Sequence, residues 1–550
     1  MMGQPILVLK QGTQREQGEP ALILNIDAGS AIADAVRTTL GPKGMDKMLV
    51  DGMGDTIITN DGVTILKELD VEHPAAKMVI EAAKTQDDEC GDGTTSTVIL
   101  TGELLQEAKP LIKENIHPTV IVEGYQLALK KALEVLRGCA PSIAHGMQNE
   151  GVRDTLLSVA MTSMTGKSTE ENKHDLAELV VDVILAIAKG PSGQEDMVDL
   201  EDVAVVKLKG KAVGATNRIN GLVIKKDKAS KGMRADLSDG LVNIGLLSGS
   251  LRVKDHSVNI QQVEELEKLM DRDDQELLKL IDGVTEAGIN VLFVQKDISD
   301  EAAGMLEENG IIGFRRVTEE EMDMLSRATG ATITSKAKDL KGKTGRCLYS
   351  EKKHEGALHV YLTAGDEQGT FPIQTILVRG ATDHVVDEIE RSIHDALSTV
   401  GVAYEEGLVN IGGGSSFMEI VLALEKYANE IEGRRSFAVK GFAKAMEAIP
   451  RTLAENAGLD KIDTILNLRK AHTEGHKYHG VNVVTGTVED MRALEVVEPH
   501  KLVEMALVGA VETCTMILRI DDVIASKGMD LGQPGQPPQG PQQGPPPGMG

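Results

Sequence analysis

The sequence predicts a multidomain chain in which two all-α ends enclose helical connectors, and the connectors enclose one α/β insertion. Three observations carry this. A chain of 550 residues is enough for roughly three or four domains. Both terminal thirds show apolar residues at helical spacing, as in Pro118 to Arg137, where Val122, Tyr125, Leu129, Ala132, Leu133 and Leu136 share a face. The middle changes period: Val291 to Val294, Ser299 to Asn309, Ile311 to Arg316 and Thr318 to Thr329 read as strand, helix, strand, helix.

In order, the first 20 residues are polar and expected to be loose. Ala28 to Leu40 reads as a helix stopped by Gly41-Pro42-Lys43-Gly44. Lys47 to Asp51 and Asp55 to Thr59 read as short strands, and Val63 to Leu69 as a helix after the turn Asn60-Asp61-Gly62. Pro74 to Glu89 and Thr97 to Lys109 are helices separated by Gly91-Asp92-Gly93-Thr94-Thr95-Ser96. Glu150 to Val159 and His174 to Ala188 flank a polar loop at 162–168. Val203 to Leu208 and Gly221 to Ile224 are strand-like. Leu251 to Asp282 lacks Gly and Pro and is dense in charge, which predicts a partly exposed amphipathic arm with a break at Asp271-Arg272-Asp273-Asp274. Thr318 with Glu321 forms a capping box. Phe371 to Leu377 returns as a strand and Thr382 to Val400 as a long helix. Gly412-Gly413-Gly414 opens the helix Phe417 to Tyr427. Helices follow at Phe437 to Ala448 and Pro450 to Ala457, then a strand or loop at Gly480 to Val488. The last helix, His500 to Ile517, returns to a core of the same composition as the first 150 residues. From Met529 the chain is mostly Gly, Pro and Gln, which predicts disorder.

Composition excludes several classes. A formal charge of −27 argues against a nucleic-acid footprint, which needs a basic face. No run of 18 apolar residues predicts a membrane span, and no signal peptide is expected at the N-terminus. The cysteines Cys90, Cys139, Cys347 and Cys514 are scattered without a C-x-x-C pair, which points to free thiols in a reducing cytoplasm. Aromatic residues are only 2%, without Trp, so the cores must use Ala, Val, Ile, Leu and Met.

Chemistry concentrates at glycine-rich corners. Gly91 and Gly93 permit a sharp turn, and Thr94, Thr95 and Ser96 occupy the first turn of a helix, where free N–H groups and the dipole favour an anion. Asp92 among those donors makes sense if the anion arrives with Mg²⁺, so the stretch predicts a metal–nucleotide site. The same six residues are also readable as a plain Asp/Gly turn capped by threonine. Asp61 stands at a strand–turn–helix corner, where loops carry chemistry or merely turn. Gly166-Lys167-Ser168 is not a P-loop, because Met161 stands where glycine is required. Lys167 is left as a single phosphate-facing cation or a solvated loop lysine. The acidic run at 271–274 is no EF-hand, since Glu276 replaces the needed glycine. His354 and His359 are five apart, one too many for a zinc-protease helix.

As a set these segments resemble a known family. Arg37-Thr38-Thr39-Leu40-Gly41-Pro42-Lys43-Gly44-Met45-Asp46-Lys47-Met48, Asn60-Asp61-Gly62-Val63-Thr64-Ile65-Leu66, Gly91-Asp92-Gly93-Thr94-Thr95, Gly412-Gly413-Gly414 and Ile449-Pro450-Arg451-Thr452-Leu453-Ala454-Glu455-Asn456-Ala457-Gly458 resemble chaperonin signatures. The arm at 249–282 is similar to the helical protrusion of group II chaperonins, the thermosome and its eukaryotic cytosolic relatives. The resemblance covers about residues 15 to 525.

It implies an equatorial ATPase domain from residues 1–148 and 406–527, an intermediate domain from 149–218 and 371–405, and an apical domain from 219–370 whose protrusion is a lid. Residues 528–550 form the tail. The implied activity is ATP hydrolysis that closes the lid over unfolded protein clients in two stacked rings of sister subunits. In the family's pattern ATP and Mg²⁺ would be held by Asp92, Gly93, Thr94, Thr95 and Ser96, with Asp92 the metal ligand. Leu40, Gly41, Pro42, Gly412, Gly413, Asn482 and Glu498 would contact nucleotide. Glu498 stands where bacterial-type relatives carry Asp. Asp61 and Asp395 would position the attacking water, with Asp395 carried by a hinge, and Lys167 would sense the γ-phosphate. Competing readings are a scaffold that binds ATP without hydrolysis and a small-molecule kinase; ATP turnover without an added acceptor separates them.

Overall fold

A computed structural model describes residues 14–50, 54, 56–143, 150–166, 172–188, 198–234, 237, 240–253, 263–364 and 371–525. The two chain ends are paired: Gln14–Gln17 runs antiparallel to Asp522–Ala525, and the Gly18 amide donates to the Asp521 carbonyl at 2.7 Å. Residues 1–170 with 398–550 form one compact body, and residues 171–397 form another.

The first body is built around the helix Thr94–Lys113, against which Glu19–Arg37, Pro74–Cys90, Arg435–Met446 and His500–Leu518 pack. With few aromatic rings available, small residues bring the helices together. A methyl added at Gly102 would stand 2.4 Å from Ala33 Cβ, and one at Gly124 2.4 Å from Ala438 Cβ. Backbones this close gain many dispersion contacts without bulky side chains. Tyr125 is one of the few buried rings. Its hydroxyl donates to the Leu104 carbonyl at 2.8 Å and its ring meets Phe442 edge-on at 5.7 Å, so the buried polar tip is satisfied. One core unites Val98 and Leu105 with Val421, Leu507 and Cys514 from the far end of the chain.

Several expectations are corrected here. The first helix starts at Glu19, nine residues before Ala28, with Pro20 in its first turn and Leu22 and Ile26 buried. The terminal thirds are not all-α. Besides the expected hairpin Lys47–Val50/Thr56–Thr59, the stretch read as strand or loop at Gly480 to Val488 is a hairpin of His479–Asn482 with Thr487–Asp490, and Val409–Ile411 pairs, unforeseen, with Val497–Pro499. Strands of three or four residues are too short to show a period. The polar loop expected from 162 is helical through Met164. Helix Lys461–Thr473 was not expected. Asp460 caps it through the amides of Ile462 and Asp463, but its exposed Ile462 (67%) and Leu466 (58%) obscure the amphipathic pattern.

In the second body, Gln374–Gly380 lies between Val203–Lys209, parallel to it, and Asn217–Ile219, antiparallel. A seven-stranded sheet runs in the order Gly221–Lys225, Ala357–Thr363, Gly345–His354, Val242–Leu247, Val291–Val294, Ile312–Phe314, with Ile333–Thr334 added beside Val242–Leu247. The last three strands of that order are parallel. Val291–Val294 is buried throughout, as expected for a strand covered on both faces. The capping box is present: the Glu321 carboxylate accepts the Thr318 amide at 2.8 Å, and the Glu321 amide donates to the Thr318 hydroxyl at 3.3 Å. His354 and His359 sit on an unforeseen hairpin, not a helix.

The charged arm also differs from expectation. Val263–Glu286 is one unbroken helix through 271–274; four charged residues remove no backbone donor, so nothing forces a break. Leu277, Ile281 and Val284 are buried in the body's core, while Arg272 and Asp274 are exposed. Leu277, Ile281 and Val284 tie the C-terminal part of the helix to that core. Residues 254–262 lie outside the described residues, as does the tail from 526.

Candidate functional site

Helix Pro74–Cys90 ends at Gly91 (φ 68°) and helix Thr94–Lys113 starts after Gly93 (φ 82°). Both are left-handed, a region glycine enters without cost. No side chain caps the second helix, so its first-turn amides at Thr94, Thr95 and Ser96 stay available. Asp92 folds one oxygen, Oδ1, onto the Gly93 amide at 2.7 Å, and no hydrogen bond reaches Oδ2 among the described contacts. Gln86 braces the turn, donating to the Asp92 carbonyl at 3.0 Å and the Leu502 carbonyl at 3.2 Å.

Asp61 caps the helix Gly62–Glu68. Its Oδ2 accepts from the Thr64 amide at 2.9 Å and hydroxyl at 2.6 Å, which leaves Oδ1 for other work. Gly62 is why this corner lies against the first. A Cβ there would stand 2.5 Å from Thr95 Oγ1 and 2.9 Å from Thr94 Oγ1. Gly62→Ala is expected to weaken ATP binding at least ~10-fold, since small misplacements of a positioned site are costly. Alanine is the better helix former by about 1 kcal/mol, so the loss would not reflect a weaker helix. Equilibrium dialysis with ATP that finds unchanged affinity would count against the contact.

The third corner is Leu40-Gly41-Pro42. Gly41 has φ 81°, and a methyl there would meet Leu453 at 2.3 Å. Asn456 donates to the Leu40 carbonyl at 2.8 Å and the Arg37 carbonyl at 3.1 Å. Gly166 closes the gap: a Cβ on it would lie 3.1 Å from the Gly41 oxygen and 3.1 Å from Pro42 Cα, and its carbonyl accepts from Asn60 Nδ2 at 2.6 Å. Lys167 itself lies outside the described residues.

The fourth corner is Gly412-Gly413-Gly414. The Gly413 carbonyl accepts from the Val481 amide at 2.9 Å, and the Gly412 amide donates to the Val496 carbonyl at 2.9 Å. A Cβ on Gly412 would lie 3.8 Å from Glu498 Oε1, and one on Gly414 2.6 Å from Pro450 Cβ. Asn482 spends its side chain locally: Oδ1 accepts from the Val484 and Thr485 amides and Nδ2 donates to Glu489. The helix ending at Met164 reaches the strand of Glu498 through Thr162, whose hydroxyl accepts the Val497 amide at 3.3 Å.

Burial, and then the charge of Asp92, pushes the Glu498 carboxyl up to about 7 from its ordinary 4.5. A raised carboxyl value means the folded chain holds this proton more tightly than the unfolded chain. Its contribution to stability is complete below about 4.5 and is lost as pH rises through about 7. In nucleotide-free, chelator-treated protein, Glu498→Gln is expected to flatten the fall in urea midpoint between pH 5 and 7.5. A variant that keeps the wild-type slope would contradict this.

The structure thus brings together residues 40–42, 60–62, 92–96, 166, 412–414 and 498 in the first body. Asp395 belongs to the second, buried (6% exposed) in helix Asp383–Glu406. Gln86, Asn456 and Gly166 were missed by sequence reasoning. Asn456 stood inside a quoted signature; nothing local marks Gln86, whose partner Leu502 is 416 residues away.

Comparisons agree with one another. Residues 32–528 match the TCP-1/cpn60 chaperonin family. The chain is 43% identical to thermosome subunit beta of Methanothermobacter thermautotrophicus over 99% of both chains. It is 44% identical to thermosome subunit beta of Archaeoglobus fulgidus, and 44% to that of Thermoplasma acidophilum, over 96% of each chain.

Proposed function

Because the chain belongs to the TCP-1/cpn60 chaperonin family, it is an ATP-hydrolysing chaperone, and we propose that the ring of corners just described is its nucleotide site. The observation that carries this is direct contact between corners: Gly62 against Thr94 and Thr95, and Gly166 against Gly41 and Pro42. Four glycine-rich corners meeting around uncapped helix amides suit a nucleoside triphosphate.

In this reading the Thr94, Thr95 and Ser96 amides and the Gly93 turn hold phosphate oxygens. Asp92 Oδ2 fits a Mg²⁺ ligand, because it is the free oxygen of a carboxylate set among anion donors; the ion would neutralise phosphate charge. Leu40, Gly41, Pro42, Gly412 and Gly413 enclose base and sugar, and Glu498 accepts from a ribose hydroxyl. Asn482 contributes through its backbone position, since its side chain is committed. Asp61 Oδ1 orients the attacking water and Asp395 takes its proton, with Lys167 facing the γ-phosphate. Phosphoryl transfer asks mainly for positioning and charge neutralisation, and a carboxylate from another part of the chain makes hydrolysis wait on closure.

The three-domain division, with boundaries near 148, 218, 370 and 405, belongs to the same proposal. It is supported by the two separate sheets of the second body. Assembly with sister subunits into two stacked rings is supported by exposed apolar residues on and beside the hairpin at 47–59, namely Met45, Met48, Val50 and Ile58, because bare strand edges and apolar patches seek partners. Unfolded protein chains are the clients, and the arm at 249–282 is the lid. Four free cysteines suit a cytosolic setting. The test is steady-state phosphate release without an added acceptor, paired with micrographs of the particle with and without ATP. No turnover, or no ring, would defeat the reading.

A further inference from the structure

Beside the nucleotide site, but not part of it, three potential ligands converge. His500 opens the helix His500–Leu518, Glu504 lies one turn along it, and Glu406 comes from the end of helix Asp383–Glu406. Their donor atoms all lie within 4.8 Å of one another. The His500 side chain is only 3% exposed, and Nε2 faces Glu406 Oε1 at 4.0 Å and Glu504 Oε2 at 3.8 Å.

The tautomer of that imidazole follows from its other side. Asn410 is fully buried, and its Nδ2 donates to the Leu136 carbonyl at 3.3 Å, so Oδ1 is the atom turned to His500. Oδ1 can only accept, hence the 2.8 Å contact to Nδ1 is donation from Nδ1–H. In the neutral ring Nε2 then carries a lone pair aimed at two carboxylates. No hydrogen bond reaches it among the described contacts. Three electron-pair donors facing one another repel unless a proton or a metal cation sits between them.

The remaining details prepare the carboxylates for that. Glu406 Oε2 accepts the Lys501 amide at 2.6 Å, which holds the side chain and leaves Oε1 toward His500. His500 and Glu504 are four apart on a helix, the spacing that puts two ligands on one face. A backbone or carboxylate partner on the far nitrogen of a ligating histidine is the usual way its orientation is set.

We infer that His500 Nε2, Glu406 Oε1 and Glu504 Oε2 form a site for a divalent transition metal of the zinc class. An imidazole with two carboxylates suits zinc or cobalt better than magnesium, which prefers oxygen and water. With metal–ligand lengths of about 2.0–2.2 Å, tetrahedral ligands stand about 3.4 Å apart. The glutamates must therefore close by about 0.5–1.5 Å, within reach of partly exposed, flexible side chains. The bound ion ties the end of one helix to the start of another, two residues beyond Glu498.

The test uses the full-length chain, stripped with chelator, free of nucleotide, in excess Mg²⁺ so that oxygen-only sites are filled. Co²⁺ is titrated by visible absorption and Zn²⁺ by competition and metal analysis. The expected result is one Co²⁺ per chain, displaced by Zn²⁺, without a thiolate charge-transfer band, and a raised thermal midpoint. Glu504→Gln, at a partly exposed position, and His500→Gln are each expected to raise the dissociation constant by more than about 100-fold, beyond the 10–100-fold loss of an outer partner. If His500→Gln does not fold, Glu504→Gln decides alone. No binding, a thiolate band, or binding that survives these substitutions overturns the site. The readout needs no ATP, so it stands apart from the ATPase reading.

Discussion

Asp395→Ala is expected to bind ATP normally and to release phosphate ~10²–10⁴-fold more slowly, the usual worth of a positioned acid/base group. The variant separates binding from chemistry because Asp395 lies in a different compact body from the corners proposed to hold nucleotide. Those corners keep their amides, their glycines and Asp92 whether or not residue 395 has a carboxylate. Removing the carboxylate from a 6%-exposed position leaves a gap in the packing, so Asp395→Asn serves as the isosteric control. Binding is read by equilibrium dialysis and chemistry by single-turnover phosphate release. Near-normal release from both variants would remove Asp395 from the mechanism. Lost binding would place it among the nucleotide contacts instead.

Replacing residues 254–272 with a short Gly/Ser link is expected to leave ATP turnover within about twofold and to abolish encapsulation of a client. The endpoint matters. A deletion of the whole predicted arm, to Asp282, would remove Leu277 and Ile281, which are buried at 4% and 3% in the core of the second body. Taking a buried leucine or isoleucine to nothing costs about 2–5 kcal/mol each, so that variant would report on folding rather than on the lid. Cutting before Leu277 spares the anchor. Encapsulation is read as protease protection of a bound client on adding ATP. Full protection in the shortened variant would refute the lid role; lost turnover would show that the arm couples to the nucleotide site.

Much of this was legible from local chemistry. The corners at 41–44, 61–62, 91–96 and 412–414 were visible because glycine punctuates the chain between apolar periodic segments, and each proved to be a left-handed or tightly packed turn. The capping box at Thr318 was readable because both partners lie within one turn. Short ribbons such as Val409–Ile411 with Val497–Pro499 were not, since each strand alone is shorter than any period. The arm misled for a related reason: nothing in its charged sequence marks Leu277, Ile281 and Val284 as the residues buried in the core of the second body.

The sequence by itself determined the helical framework, the glycine corners, the absence of bulky aromatic packing and the family to which the chain belongs, because each is written in neighbouring residues or in a set of local motifs. Only the tertiary structure decided which corners touch, that Gly62 and Gly166 are the points of contact, that Gln86 and Asn456 brace them, and that Glu406, His500 and Glu504 face one another. Most of those contacts join residues separated by about 30 to more than 400 positions, as in Gly62 with Thr94, Glu406 with His500 and Gln86 with Leu502. No local pattern encodes such pairings; they arise when the Ala- and Gly-rich helices close to backbone contact and bring distant turns to one place.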